Sequence, residues 1–145
     1  MLALRFSTDL LEGDLAYADG QLERDDFDLE TAILLSLFLN APAGKGDVPD
    51  GIDLGGWCLS ADLEGLDAPL GSRLWTLSHG LATTNQVGRA EAMTRDALQW
   101  LITDRHVRAV GASGELVDGW INVAVSVTKF SGETVRIGPF TVGAN

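Results

Sequence analysis

The chain has 145 residues, 46% hydrophobic and 21% charged, which supplies the apolar material of one ordinary globular domain and excludes wholesale disorder. Its formal net charge of −11 argues against wrapping nucleic acid, whose phosphates such a field would repel. With Cys58 as the only cysteine, an internal disulfide is excluded and a reducing compartment is the simpler expectation.

The charge is unevenly spread. Residues 1–70 hold 3 basic and 15 acidic side chains, whereas residues 71–145 hold 7 basic and 6 acidic. The acidic half is read either as a solvated face or as a face turned toward a basic neighbour. The opening residues carry no basic leader, and the longest apolar stretch, 32–39, is too short to span a bilayer. A soluble cytoplasmic protein without membrane contact is therefore expected.

In chain order, residues 2–6 read as a short strand, and Asp19-Gly20 has the composition of a tight hairpin turn between 15–18 and 21–23. Asp25, Asp26, Asp28 and Glu30 then stand where a helix N-terminus exposes unpaired amides. A helix is predicted over 28–40, apolar around most of its circumference through Leu29, Ile33, Leu34, Leu35, Leu37, Phe38 and Leu39, and hence central to the core. Residues 41–69, rich in Gly, Pro and Asp, read as a long and weakly held loop.

Residues 73–81 can form a short helix. Thr83 and Gln86 have capping-box spacing for a longer helix ending at Thr103. Its predicted inner face is Val87, Ala90, Met93, Ala97, Trp100 and Leu101, with Glu91 and Arg95 paired outward. The rest reads as β-structure. Ile121, Val123, Val125 and Val127 alternate with smaller or polar residues, as on a half-buried antiparallel strand; a strand over 107–112 precedes it and one over 134–142 follows. Ser131-Gly132 provides the turn, and Pro139, lacking an amide donor, belongs on a sheet edge. The fold class expected is α+β: one domain with an N-terminal β-hairpin, central helices and a C-terminal antiparallel sheet.

No catalytic, cofactor or metal site emerges. His79 and His106, read as a helix-end and a strand-surface residue, have no nucleophile-elbow serine to serve. One thiol and two scattered histidines do not make a zinc site. Asp47, Asp50, Gly51 and Asp53 lack the alternating ligands and closing glutamate of a calcium loop, and 43–46 lacks the residues that cradle phosphate. The fifteen acids of the first half make chance carboxylate pairs inevitable and leave a glycan hydrolase open as an alternative function, testable by changing a single acid such as Glu30 or Glu64, since that chemistry needs only two acids at a suitable distance. An acidic protein-binding module is another.

Four features occur in fixed order: the acidic-capped apolar helix over 28–40, a glycine-tryptophan turn (Gly55, Gly56, Trp57), the segment 71–77 reading G-S-R-L-W-T-L, and the strand-turn-strand ending over 121–137. That ordered set, from Asp14 to about Ile137, resembles the Mu-like phage baseplate protein family, related to the lysozyme-like baseplate wedge proteins of contractile tails. The resemblance implies a non-enzymatic wedge component of a phage or prophage tail, assembled in the host cytoplasm and carried in the virion baseplate. It further implies several copies around a hub, with other wedge and hub proteins and the tail sheath as partners. Family members commonly have a second tryptophan where this chain has Cys58, so the packing of that turn is not carried over.

The candidate interaction residues are Trp57, Arg73, Trp75, Thr134, Val135, Arg136, Ile137, Pro139 and Phe140. Arg73 has plainer readings, bonding helix-end carbonyls or pairing with a loop acid, and Trp57, Trp75 and Trp100 can be core aromatics. For the last strand, sheath subunits that link through exchanged strands would use its open edge. On that reading, truncation after Gly132 leaves the helices intact.

Overall fold

The computed structural model describes residues 29–56, 71–80 and 82–143, together with the backbone of four short strands before them. Strand β1 (Leu4–Ser7) pairs antiparallel with β2 (Glu12–Leu15), and β3 (Tyr17–Ala18) with β4 (Gln21–Leu22). The turn residues Asp19 and Gly20, and the acids Asp25, Asp26 and Asp28, lie outside the described residues.

Helix α1 (Leu29–Phe38) buries Thr31, Ile33, Leu34, Ser36 and Leu37. Neighbours on several sides account for its lack of a polar face. The buried Ser36 hydroxyl donates to the Ala32 carbonyl at 2.7 Å and accepts from Trp100 Nε1 at 3.0 Å, so its polarity is satisfied. A 3₁₀ helix (Leu74–His79) and helix α2 (Thr84–Thr103) follow. Thr83 caps α2 as its spacing predicts, its hydroxyl accepting from the Gln86 amide.

The inner face of α2 is rotated from the predicted one. Ala90, Met93, Thr94, Leu98 and Leu101 are buried, whereas Val87, Ala97 and Trp100 are only partly covered. Glu91 does not pair with Arg95. Its carboxylate accepts from the Gly114 amide at 2.7 Å, satisfying a donor on the outer edge of the adjacent strand. Gly114 permits that close approach: a Cβ there would lie 2.7 Å from Val87 Cγ1.

The main sheet has the order β5-β6-β7, all antiparallel, from β5 (Ala109–Val117), β6 (Trp120–Thr128) and β7 (Thr134–Gly143). Strand β5 begins later and runs further than the predicted 107–112, and Val107 is a buried connection residue. On central β6 the predicted inward set, Ile121, Val123, Val125 and Val127, is at most 1% exposed. Lys129 donates its amide to Glu133 and accepts from Gly132, whose φ of +90° closes the three-residue loop into β7.

Pro139 lies on edge strand β7, beside a break in the β6–β7 register. Phe140, two-thirds along this strand, is 5% exposed and packs edge-on against Phe38 with ring centroids 5.3 Å apart. With Ile137 and Val142 also against the core, truncation after Gly132 would strip one wall from it. The expectation that such a truncation spares the helices is therefore withdrawn. One continuous core joins α1, the 3₁₀ helix, α2 and the sheet.

Candidate interaction surface

The segment 71–77 forms a junction. Ser72 donates its hydroxyl to the Leu37 carbonyl at 2.5 Å and its amide to Leu39 at 2.8 Å, while its own carbonyl accepts from Ala41 N at 2.9 Å. The carbonyls left over at the end of α1 thus find donors in a segment more than thirty residues away in sequence. Gly71, at φ +103°, lets the chain pass against Leu39: a Cβ on it would sit 2.3 Å from the Leu39 oxygen.

Of its two plainer readings Arg73 takes the second and pairs with a loop acid, Nη1 lying 2.9 Å from Asp47 Oδ2. Arg89 of α2 approaches the other oxygen at 3.4 Å, and the Gly44 amide donates to Oδ2 at 2.8 Å. Asp47 thereby ties the loop to both helical elements. Trp75 and Trp100, expected in the core, are half-buried instead. Each donates its indole N–H across an element boundary, Trp75 to the Ala41 carbonyl at 2.9 Å and Trp100 to Ser36. Gly55 approaches the Trp75 ring so closely that a Cβ would be 2.7 Å from Cζ2. Three of the ordered sequence features, helix, glycine turn and 71–77 segment, therefore meet in space.

That junction also corrects the loop reading. Residues 41–56 are anchored, with Ala41, Ala43 and Val48 buried and Ala43 N bonded to Leu54 O at 2.7 Å. Trp57, Cys58 and the remainder of the predicted loop to Pro69 lie outside the described residues.

Asp47 supports a pH prediction. The Gly44 amide and, after it, the two guanidiniums hold its carboxyl below the ordinary range, against an opposing effect of burial. A folded value below the unfolded one stabilises above the ordinary carboxylate pKa, and that stability disappears as pH falls through the depressed value. Asp47→Asn is expected to cost about 1–2 kcal/mol at neutral pH, discounted because both arginines are more than a third exposed. Urea unfolding of both proteins across pH should show the gap constant above about pH 5 and narrowing below about pH 4; a gap independent of pH would contradict the junction.

On β7, Thr134, Arg136 and Pro139 are exposed, Val135 and Ile137 half-buried, and Phe140 inward. As a core ring, Phe140 is not available at the surface in this arrangement, unlike its neighbours. Because Lys129 and Glu133 form the bonded pair that closes the loop, the alternation of an antiparallel ladder turns the amides of Thr134 and Arg136 outward.

One surface element escaped the sequence reading. The β5–β6 hairpin ends in Asp118-Gly119, both at positive φ (50° and 82°), and carries Leu116, Val117 and Trp120 at 41–44% exposure. The signal was present: an Asp-Gly pair flanked by apolar residues. His79 is exposed at the end of the 3₁₀ helix as expected, but His106 lies in the turn after α2 rather than on a strand, its ring 5.6 Å from Trp100.

Among the described residues, no group of three or more His, Cys, Asp or Glu side chains could hold a metal ion, and no helix is long and apolar enough to cross a membrane. An open cleft of about 460 Å³ lies where α1 meets β7, lined by Leu34, Asn122, Ile137, Pro139 and Phe140 among others. Glu30 is the one acid among its described lining residues, and Glu64, the other acid named for a hydrolase test, lies outside the described residues.

A bonded junction, a sheet edge with no further strand partner among the described residues and an apolar hairpin tip are features by which proteins dock on other proteins. The chain belongs to the phage protein GP46 family, whose model matches residues 29–134, and so to the Mu-like baseplate proteins. It is 35% identical over 127 residues, 85% of this chain and 84% of the relative, to a protein named baseplate protein gp46 of Escherichia phage Mu. No solved structure matches it.

Proposed function

We propose that this protein is a structural, non-enzymatic component of a phage or prophage tail baseplate. It acts as a single wedge-like domain over residues 1–145, in several copies, and joins the baseplate to the first ring of a contractile sheath. Its partners are other wedge and hub proteins and the sheath subunit, met in the host cytoplasm during assembly and retained in the virion tail. The observation that carries the reading is the 35% identity to a named baseplate protein across 85% of the chain. Supporting the sheath contact is edge strand β7, whose outward amides at Thr134 and Arg136 can receive a partner strand through backbone bonds alone. Arg73 and Trp75 border the second proposed docking area, together with Trp57.

The test uses Thr134→Pro, which removes one outward donor while leaving the β7 residues that fill the core. Baseplates assembled with this variant should form normally and fail to nucleate extended sheath, as seen by electron microscopy. Normal sheath on a folded variant would refute the edge contact, and a wild-type chain that co-purifies with no other tail protein would refute the baseplate role itself.

A further inference from the structure

The two ends of the main sheet are chemically opposite. At one end, the tip of the β5–β6 hairpin exposes Leu116, Val117 and Trp120. The charges beside them are both acidic, Glu115 and Asp118, and no basic residue occurs between Arg108 and Lys129. At the other end, the β6–β7 loop exposes Phe130 at 63%. Beside it in the ladder stand Arg108, whose amide bonds Thr128 O at 2.8 Å, Lys129, and Arg136 opposite Ser126 on β6, while Arg105 follows the exposed Asp104 in the connection before β5. Lys129 pairs with Glu133 at 3.2 Å. Among the described residues Arg105, Arg108 and Arg136 have no carboxylate partner.

Among the described residues Arg95 on α2 likewise has no carboxylate partner, but these three gather at one end of the sheet in a chain with 21 acidic residues, where Arg73 and Arg89 share one aspartate. Nor can the acidic tip of the same molecule satisfy them. Strands of nine residues place the two ends roughly 30 Å apart, well beyond a Debye length at physiological salt.

From this complementarity we infer that the partner for each end is a second copy of this chain, so that copies associate head to tail. Trp120, Val117 and Leu116 of one molecule cover Phe130 of the next, while Glu115 and Asp118 face Arg108 and Arg136. Aromatic and arginine side chains are the types that dominate interface energetics, and Trp120 over a guanidinium adds a cation–π contact. Such a contact is heterologous: each copy keeps one donor and one acceptor end, which generates a ring or an open string rather than a closed pair. It leaves the β7 edge uncovered. Edge pairing through β5 is disfavoured, since Glu91 already occupies the Gly114 amide.

Sedimentation velocity on the purified full chain tests this apart from any baseplate function, so its failure would leave that reading intact. Wild type should form species that grow with concentration and shrink with added salt. Trp120→Ala and Phe130→Ser should each weaken association by roughly tenfold or more. A tip variant, Glu115→Arg with Asp118→Asn, and an end variant, Arg108→Glu with Arg136→Glu, should each be monomeric alone and associate when mixed, because mixing restores opposite charges at every contact. Circular dichroism and melting curves establish that each variant is folded, and the two single apolar substitutions decide the matter if a charge variant is not. A wild type that stays monomeric at low salt, folded variants that associate as wild type does, or a mixture that remains monomeric would each overturn the proposal.

Discussion

Leu98→Ala is expected to lower stability by about 3–5 kcal/mol, among the largest effects of any single truncation in this chain. Leu98 is fully buried on α2 and belongs to the core shared by the helices and the sheet. A cavity there is enclosed on all sides and closes only by moving a helix or a strand. Leu34 of α1 provides the comparison. It is also buried, at 5% exposure, but it lines the open cleft beside β7, so water can enter the space a truncation leaves. Leu34→Ala should therefore cost nearer 2 kcal/mol, the low end for such substitutions. Urea denaturation with an unchanged m-value measures both. A Leu34 variant as damaging as the Leu98 variant would mean that the cleft is closed in solution.

Gly71→Ala should be almost as damaging, for a backbone reason. Gly71 and Gly132 both have φ near +100°, a conformation disfavoured for any residue with a Cβ. They differ in surroundings. Nothing lies within 4 Å of a Cβ at Gly132, whereas at Gly71 the Leu39 oxygen would be 2.3 Å away and the Ala41 nitrogen 3.1 Å away. Gly132→Ala should therefore show the conformational cost alone, about 1–2 kcal/mol. Gly71→Ala adds separation of 71–73 from the end of α1, which breaks the Ser72 bonds to Leu39 and Ala41, for a total of about 3 kcal/mol or more. Hydrogen exchange should report the rupture as faster exchange at Ser72 and Ala41 than the global loss of stability explains. Equal costs at the two glycines would show that the junction yields without breaking.

Several elements could be read directly because local periodicity and chemistry specify them. The alternation Ile121, Val123, Val125, Val127 selects one face of a strand, and the structure buries that face. The Ser131-Gly132 turn, the Thr83 cap and the placement of Pro139 on an edge follow from what a backbone donor or a left-handed φ requires. The class of fold and the family were legible for the same reason: both depend on the order of elements along the chain.

What the sequence could not decide is which faces meet. The inner stripe of α2 differs from the predicted one by a small rotation, because Thr94 faces inward and Trp100 needs its indole N–H at Ser36, a partner 64 residues distant. Glu91 leaves Arg95 for the Gly114 amide because a strand edge offers a fixed donor where a neighbouring helical side chain offers only a solvated pair. Asp47 reads locally as one acid in an acidic turn, and only packing brings Gly44, Arg73 and Arg89 around it. Helical and strand periods are local properties of the chain, set by neighbours a few residues away. Ion pairs, half-buried tryptophans and the opposite ends of a sheet are fixed by distances between elements far apart in sequence, and those distances exist only once the core has closed.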